Sequence, residues 1–162
     1  MIATRTLLIG CFALFLTACG FQLKGLYEVP TKLQRLTLVE NTAQPSSLGR
    51  ELIKQLSRNG VAISSDAEIR LVIEPARYNR RAVILNQNAD AEEYELSGEV
   101  QFAIYQSDSD TPTVERRVNV QRSVRETSDT LAQETLETRY RNEINSALTE
   151  QIIRQYLSFV PQ

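Results

Sequence analysis

The stretch from Glu93 to Ile104 constrains the fold more than any other part of the chain. Tyr94, Leu96, Val100, Phe102 and Ile104 alternate there with Glu93, Glu95, Ser97, Glu99 and Gln101. Successive side chains on a strand point to opposite faces, so this pattern requires a strand with one dry and one wet face. Such a strand belongs in a sheet covered on one side only. The polar runs Asn86–Ala91 and Ser107–Pro112 on either side read as turns. Beyond the second turn Val114, Val118, Val120 and Val124 share one parity, with Arg116 and Arg122 intruding. Three consecutive strands in an antiparallel meander are therefore expected.

The strand before this one carries a defect that can be read in advance. Ile69, Leu71 and Ile73 lie on one face, but after Pro75 the residues Ala76, Tyr78, Ala82 and Ile84 have the opposite parity. A one-residue slip turns every side chain over, so one buried face survives only if an extra residue is accommodated; a bulge or break is predicted at Pro75. Further upstream, Lys32–Val39 reads as a first strand with Leu36 and Leu38 inward. Ser46 or Ser47 then caps a helix with apolar positions Leu48, Leu52, Ile53 and Leu56, which Asn59-Gly60 ends. After the last strand, Asp129 or Thr130, with Gln133 as capping-box partner, starts a long helix. Its stripe runs through Leu131, Leu136, Tyr140, Ile144, Leu148, Ile152 and Tyr156, with Glu137–Arg141 and Glu150–Arg154 as i,i+4 pairs. A helix between the first two strands makes them parallel by a right-handed crossover. The expected fold is α+β: a two-layer sandwich, a mixed four-stranded sheet with two helices on one face, in the order strand-helix-strand-strand-strand-helix.

Composition narrows the chemistry. The 162 residues hold 18 Lys+Arg against 20 Asp+Glu, a net charge of −2, which argues against a nucleic-acid partner. Histidine is absent and the only cysteines are Cys11 and Cys19, which removes the commonest general base and the usual zinc ligand spacings. No nucleophile elbow or phosphate-binding glycine loop occurs, so neither an enzymatic activity nor a metal or organic cofactor is expected.

The N-terminus sets the compartment. Arg5 precedes an apolar run from Leu7 to Leu16, which closes with Thr17-Ala18-Cys19. The run is about half the length needed to cross a bilayer and has the order of a secretory signal. Leu16-Thr17-Ala18-Cys19 further resembles the bacterial lipobox, against the alternative of an ordinary signal with a cysteine at its end. On the lipobox reading residues 1–18 are a signal peptide that is removed, 19–31 form a lipidated tether, and 32–162 form a single periplasmic α+β domain. Cys19 then carries S-diacylglycerol and an N-acyl chain and is the lipid anchor. Cys11 leaves with the signal, so no disulfide is available. Gly20 stands where an inner-membrane retention signal would have Asp, which by resemblance to other lipoproteins directs the chain to the outer membrane. Phe21 and Tyr27, in the tether, suit a segment that lies on the membrane or folds back on the domain and a partner contact equally well.

One charge constellation remains: Arg77, Arg80 and Arg81. Three guanidiniums within five residues are able to grip phosphate. In a hairpin centred on Asn88, however, Arg81 falls opposite Glu95 and Arg77 opposite Glu99 as cross-strand pairs, and Arg80 has the other parity.

Cys19-Gly20-Phe21-Gln22-Leu23-Lys24-Gly25, the following Val29-Pro30 and the strand at Leu33–Val39 resemble the start of the LptE family of lipopolysaccharide-assembly lipoproteins. Leu56–Val61, Glu92-Glu93-Tyr94, Arg122-Ser123 and Glu150–Arg154 extend the resemblance over the whole mature chain. The resemblance implies a non-enzymatic outer-membrane protein that sits in the lumen of the LptD β-barrel, assists its assembly and contacts lipopolysaccharide. It associates that contact with basic residues at the loop between the second and third strands and near the start of the last helix. Gln87 and Gln133 stand at those places here, which leaves Arg80 with Arg77 and Arg81 as the nearest candidates. The alternative is a generic outer-membrane adaptor or pilotin for another envelope complex.

Overall fold

The computed structural model describes residues 29–85, 87, 91–106, 109–125 and 130–160. After a 3-10 turn at Thr31–Leu33 come β1 (Arg35–Glu40), α1 (Ser47–Arg58), β2 (Ala62–Ile63), β3 (Ile69–Ile73), β4 (Arg77–Leu85), β5 (Ala91–Gln106), β6 (Val114–Arg125) and α2 (Thr130–Leu157). The fold class is the expected α+β mixed sheet with two helices, but the sheet has six strands instead of four. β1 pairs in parallel with β3 and β2, and β5 pairs antiparallel with β3, β4 and β6.

Both added strands have a physical cause. Ile73 pairs with Phe102 and Arg77 with Glu99, so four steps on one side match three on the other. One extra residue is thus absorbed at Glu74–Ala76, where the parity inverts, and the predicted single strand becomes β3 and β4 along the same edge of β5. β2 is two exposed residues and too short to show any period. The first strand begins at Arg35, not Lys32, because Thr31–Leu33 coil into the 3-10 turn.

The helix ends follow their sequence signals. Ser46 caps α1, its side chain accepting from the Gly49 N–H at 2.9 Å. At the other end Val61 N–H donates to Leu56 O at 3.0 Å and Gly60 N–H to Ser57 O at 3.1 Å, with Gly60 at φ +80°. This double closure needs a left-handed residue, which glycine supplies without strain. The cap of α2 lies outside the described residues.

Leu36, Leu48, Leu52, Leu56, Leu71, Phe102, Ile104, Ile144, Leu148, Ile152 and Tyr156 form the core between sheet and helices. Several expected core positions are surface instead: Ile53 turns away from the α1 stripe, Leu131, 76% exposed, precedes the point where α2 settles on the sheet, and Ile84 lies past a second register shift near the end of β4. Gly98 on β5 is where that helix comes closest. A Cβ at Gly98 would lie 2.4 Å from Ile144 Cγ2 and 3.2 Å from Leu148 Cδ1.

Two polar details of the core carry expected outcomes. Thr149 is fully buried and its Oγ1 has no hydrogen-bond partner among the described residues. An unsatisfied buried hydroxyl costs about 1–3 kcal/mol, so Thr149→Val should raise stability by about 1 kcal/mol in urea unfolding. Tyr156, also fully buried, donates to Leu33 O at 2.7 Å, and burial pushes its phenol up to about 12. The neutral phenol is therefore favoured by folding: the stability it contributes is complete below the ordinary value near 10. It is lost as pH rises from 10 through about 12. Tyr156→Phe should flatten the loss of stability in that window.

Candidate functional site

The alternation of β4 divides the three arginines. Arg77 and Arg81 pair in register with Glu99 and Glu95 and lie on the face away from the helices, as the hairpin register predicts. Arg81 Nη2 meets Glu95 Oε1 at 3.1 Å. Glu99 is taken by Arg117 at 3.6 Å, and no ion pair of Arg77 is found among the described residues. Arg77 instead borders a shallow hollow of about 410 Å³ at the bulge, with Glu74, Pro75, Glu99 and Gln101.

Arg80 points to the helix side. Its Nη1 meets Glu137 Oε1 of α2 at 2.7 Å, and its guanidinium lies 3.7 Å from the centre of the Tyr94 ring. This corrects the expected Glu137–Arg141 pair: the Glu137 carboxylate takes Arg80 and a Gln133 amide at 3.3 Å, while Arg141 lies 5.0 Å over the Tyr78 ring. A cross-element partner of this kind has no sequence spacing that could announce it. Two further ion pairs on α2 among the described residues are local, Arg139–Glu143 at 2.9 Å and Glu150–Arg154 at 3.7 Å.

Beneath this surface a part-buried polar bridge ties three elements. Tyr78 Oη donates to Asn145 Oδ1, and Asn145 Nδ2 donates to Ser47 Oγ at 3.1 Å. Burial raises the Tyr78 phenol, partly opposed by Arg141 and by the hydrogen bonds. Sequence reading missed Asn145, whose only signal was a polar residue beside Ile144 on the buried stripe.

Tyr78, Arg80, Leu96, Glu137, Arg141 and Ile144 border a pocket of about 130 Å³. At that volume it is smaller than the about 300–1,000 Å³ of small-molecule sites. Gln87 is exposed in the β4–β5 turn, and Gln133 is half-buried in the first turns of α2. The strand end beside Gln87 is apolar, with Val83, Ile84 and Leu85 all exposed. Among the described residues no cluster of acidic, cysteine or histidine side chains could hold a metal ion. No described helix is long and apolar enough to cross a membrane. Cys19, Phe21 and Tyr27 lie outside the described residues.

The family model for lipopolysaccharide-assembly proteins of the LptE type matches residues 33–156, from the first core leucine to the tyrosine that roofs it. The chain belongs to the LptE family. The LPS-assembly lipoprotein LptE of Yersinia pestis (strain Pestoides F) is 32% identical over 158 residues, covering 94% of this chain and 75% of that protein. Solved structures of lipoproteins from several bacteria share this fold. Rare lipoprotein B of Shewanella oneidensis superimposes with a TM-score of 0.69 at 20% identity, covering 76% of this chain and 94% of that one. Lipoprotein B of Nitrosomonas europaea gives 0.70 at 19%, covering 86% and 92%. A minor lipoprotein of Acinetobacter baumannii gives 0.58 at 26%, covering 78% and 92%.

Proposed function

We propose that this LptE-family chain is an outer-membrane lipoprotein, anchored through acylated Cys19, that plugs the lumen of the LptD β-barrel. There it assists barrel assembly and the insertion of lipopolysaccharide into the outer leaflet, without catalysing a covalent step. Family membership over residues 33–156 carries the reading. The sheet face away from the helices suits it: the ion pairs Arg81–Glu95 and Arg117–Glu99 and the Gln101–Glu115 hydrogen bond cover that face with polar groups. A polar barrel interior is matched by such a face better than by an apolar one. Arg80, Arg77 and Arg81 are the proposed lipopolysaccharide contacts. Arg80 reaches a phosphate only by leaving Glu137, and since a part-exposed pair contributes about 0–1 kcal/mol, a multiply charged headgroup can displace it.

The test is extraction of outer membranes in mild detergent from cells carrying a C-terminally tagged copy, followed by purification on the tag and mass spectrometry. Stoichiometric recovery of the LptD barrel is the expected result. Recovery of a different envelope complex without the barrel would establish the adaptor alternative in its place.

A further inference from the structure

We infer that the outer edge of β6 is a docking edge for an extended acidic segment of a protein partner, which would add to the sheet as a further strand. The inference stands apart from the barrel reading and rests on the backbone of β6 and its charge. Among the described residues β6 pairs with β5 alone, through a register running from Glu93↔Arg125 to Ile104↔Val114. No described strand pairs with its other edge.

Which groups that edge offers follows from the ladder. Gln101 O accepts from Glu74 N–H at 2.9 Å, on the β3 side of β5, whereas Ile104 O accepts from Thr113 N–H at 2.8 Å, on the β6 side. In an antiparallel ladder the residues facing one neighbour alternate with those facing the other. Even-numbered residues of β5 therefore bond to even-numbered residues of β6. Glu115, Arg117, Asn119, Gln121, Ser123 and Arg125 direct their N–H and C=O groups outward. Two side chains agree with this assignment: Arg116 Nη1 donates to Glu115 O at 3.1 Å, and Arg122 Nη1 donates to Gln121 O at 2.8 Å. Each of these arginines curls round the edge onto an outward carbonyl.

The charge of the edge selects the occupant. β6 has four arginines and one glutamate in a chain whose net charge is −2. Four arginines against one glutamate leave the strand at +3, so a second copy would set one positive edge against another, and like charges across a strand pair are destabilising. An acidic strand reverses the sign: its carboxylates take the guanidiniums of Arg117 and Arg125, and its N–H groups replace those of Arg116 and Arg122 on the carbonyls. Arg116, Arg117 and Arg125 are all exposed and reachable.

The test uses the full lipidated chain in detergent micelles and a short peptide alternating glutamate with valine. Amide exchange should slow at 115, 117, 119, 121, 123 and 125 when the peptide is added at low salt. The same peptide N-methylated at alternate amides, or with lysine for glutamate, should bind at least tenfold more weakly. Arg117→Glu with Arg125→Glu should weaken the acidic peptide at least tenfold, and Arg117→Gln with Arg125→Gln severalfold, both with unchanged melting. Equal binding of the N-methylated or lysine peptide, protection elsewhere than β6, or binding unmoved by the folded variants would overturn the inference. So would self-association of the chain through these residues.

Discussion

Gly98→Val is expected to lower stability by about 3 kcal/mol. The space is simply absent: a Cβ alone would lie 2.4 Å from Ile144 Cγ2, a methyl on a branched and fully buried side chain that cannot swing aside. Overpacking a dense core costs about 1–3 kcal/mol, occasionally more, and valine adds two methyls beyond the first clash. Against a total of about 5–15 kcal/mol this is a large share, and the melting temperature should fall by about 10 °C. Gly98→Ala should fall between valine and the parent. Combining Gly98→Val with Ile144→Ala should recover part of the loss, because the second change removes the obstructing methyl. Melting within about 2 °C of the parent for the valine variant would mean that α2 is not held at this distance.

Removal of Cys19 should have the largest effect on location. Each buried methylene of an acyl chain contributes about 0.8 kcal/mol, and one chain alone gives only marginal attachment, so several chains on one residue separate firm anchoring from none. The parent should sediment with membranes and resist salt extraction, and its mass should exceed the sequence mass from Cys19 onward by the diacylglyceryl and acyl groups. A version exported on a cleavable secretory signal and starting at Gly20 should appear in the soluble periplasmic fraction. An unmodified mass for the parent, or its release by salt, would remove the anchor from the proposed function.

What the sequence revealed, and what it hid, divides along physical lines. The slip at Pro75 and the pairing of Arg77 with Glu99 and Arg81 with Glu95 were legible because strand parity is a strict two-residue rule, and a hairpin fixes register once its centre is known. β2 was not legible, since two residues carry no period. Ile53 and Leu131 fit a helical stripe yet lie at the surface, because a stripe records which face is apolar and not how far the neighbouring element extends to cover it. For the candidate site, opposite parity marked Arg80 as distinct from its neighbours, whereas its partners Glu137 and Tyr94 depend on how α2 crosses the sheet. The contacts of Arg116 and Arg122 with the carbonyls just before them were hidden for another reason: both looked like charges misplaced on a valine face.

The hydrogen bond from Tyr156 to Leu33 joins residues 123 positions apart and has a consequence for the order of events during folding. Leu33 is the first core residue of the described chain, and its cover is supplied by almost the last. The hairpins of β4, β5 and β6 close short loops and can form early, but the pocket around Leu33 stays open until the end of α2 arrives. A chain emerging N-terminus first would keep this lock unset until the last turns of α2 had followed. Truncation by even two helical turns would leave the beginning of the protein, not its end, exposed to water.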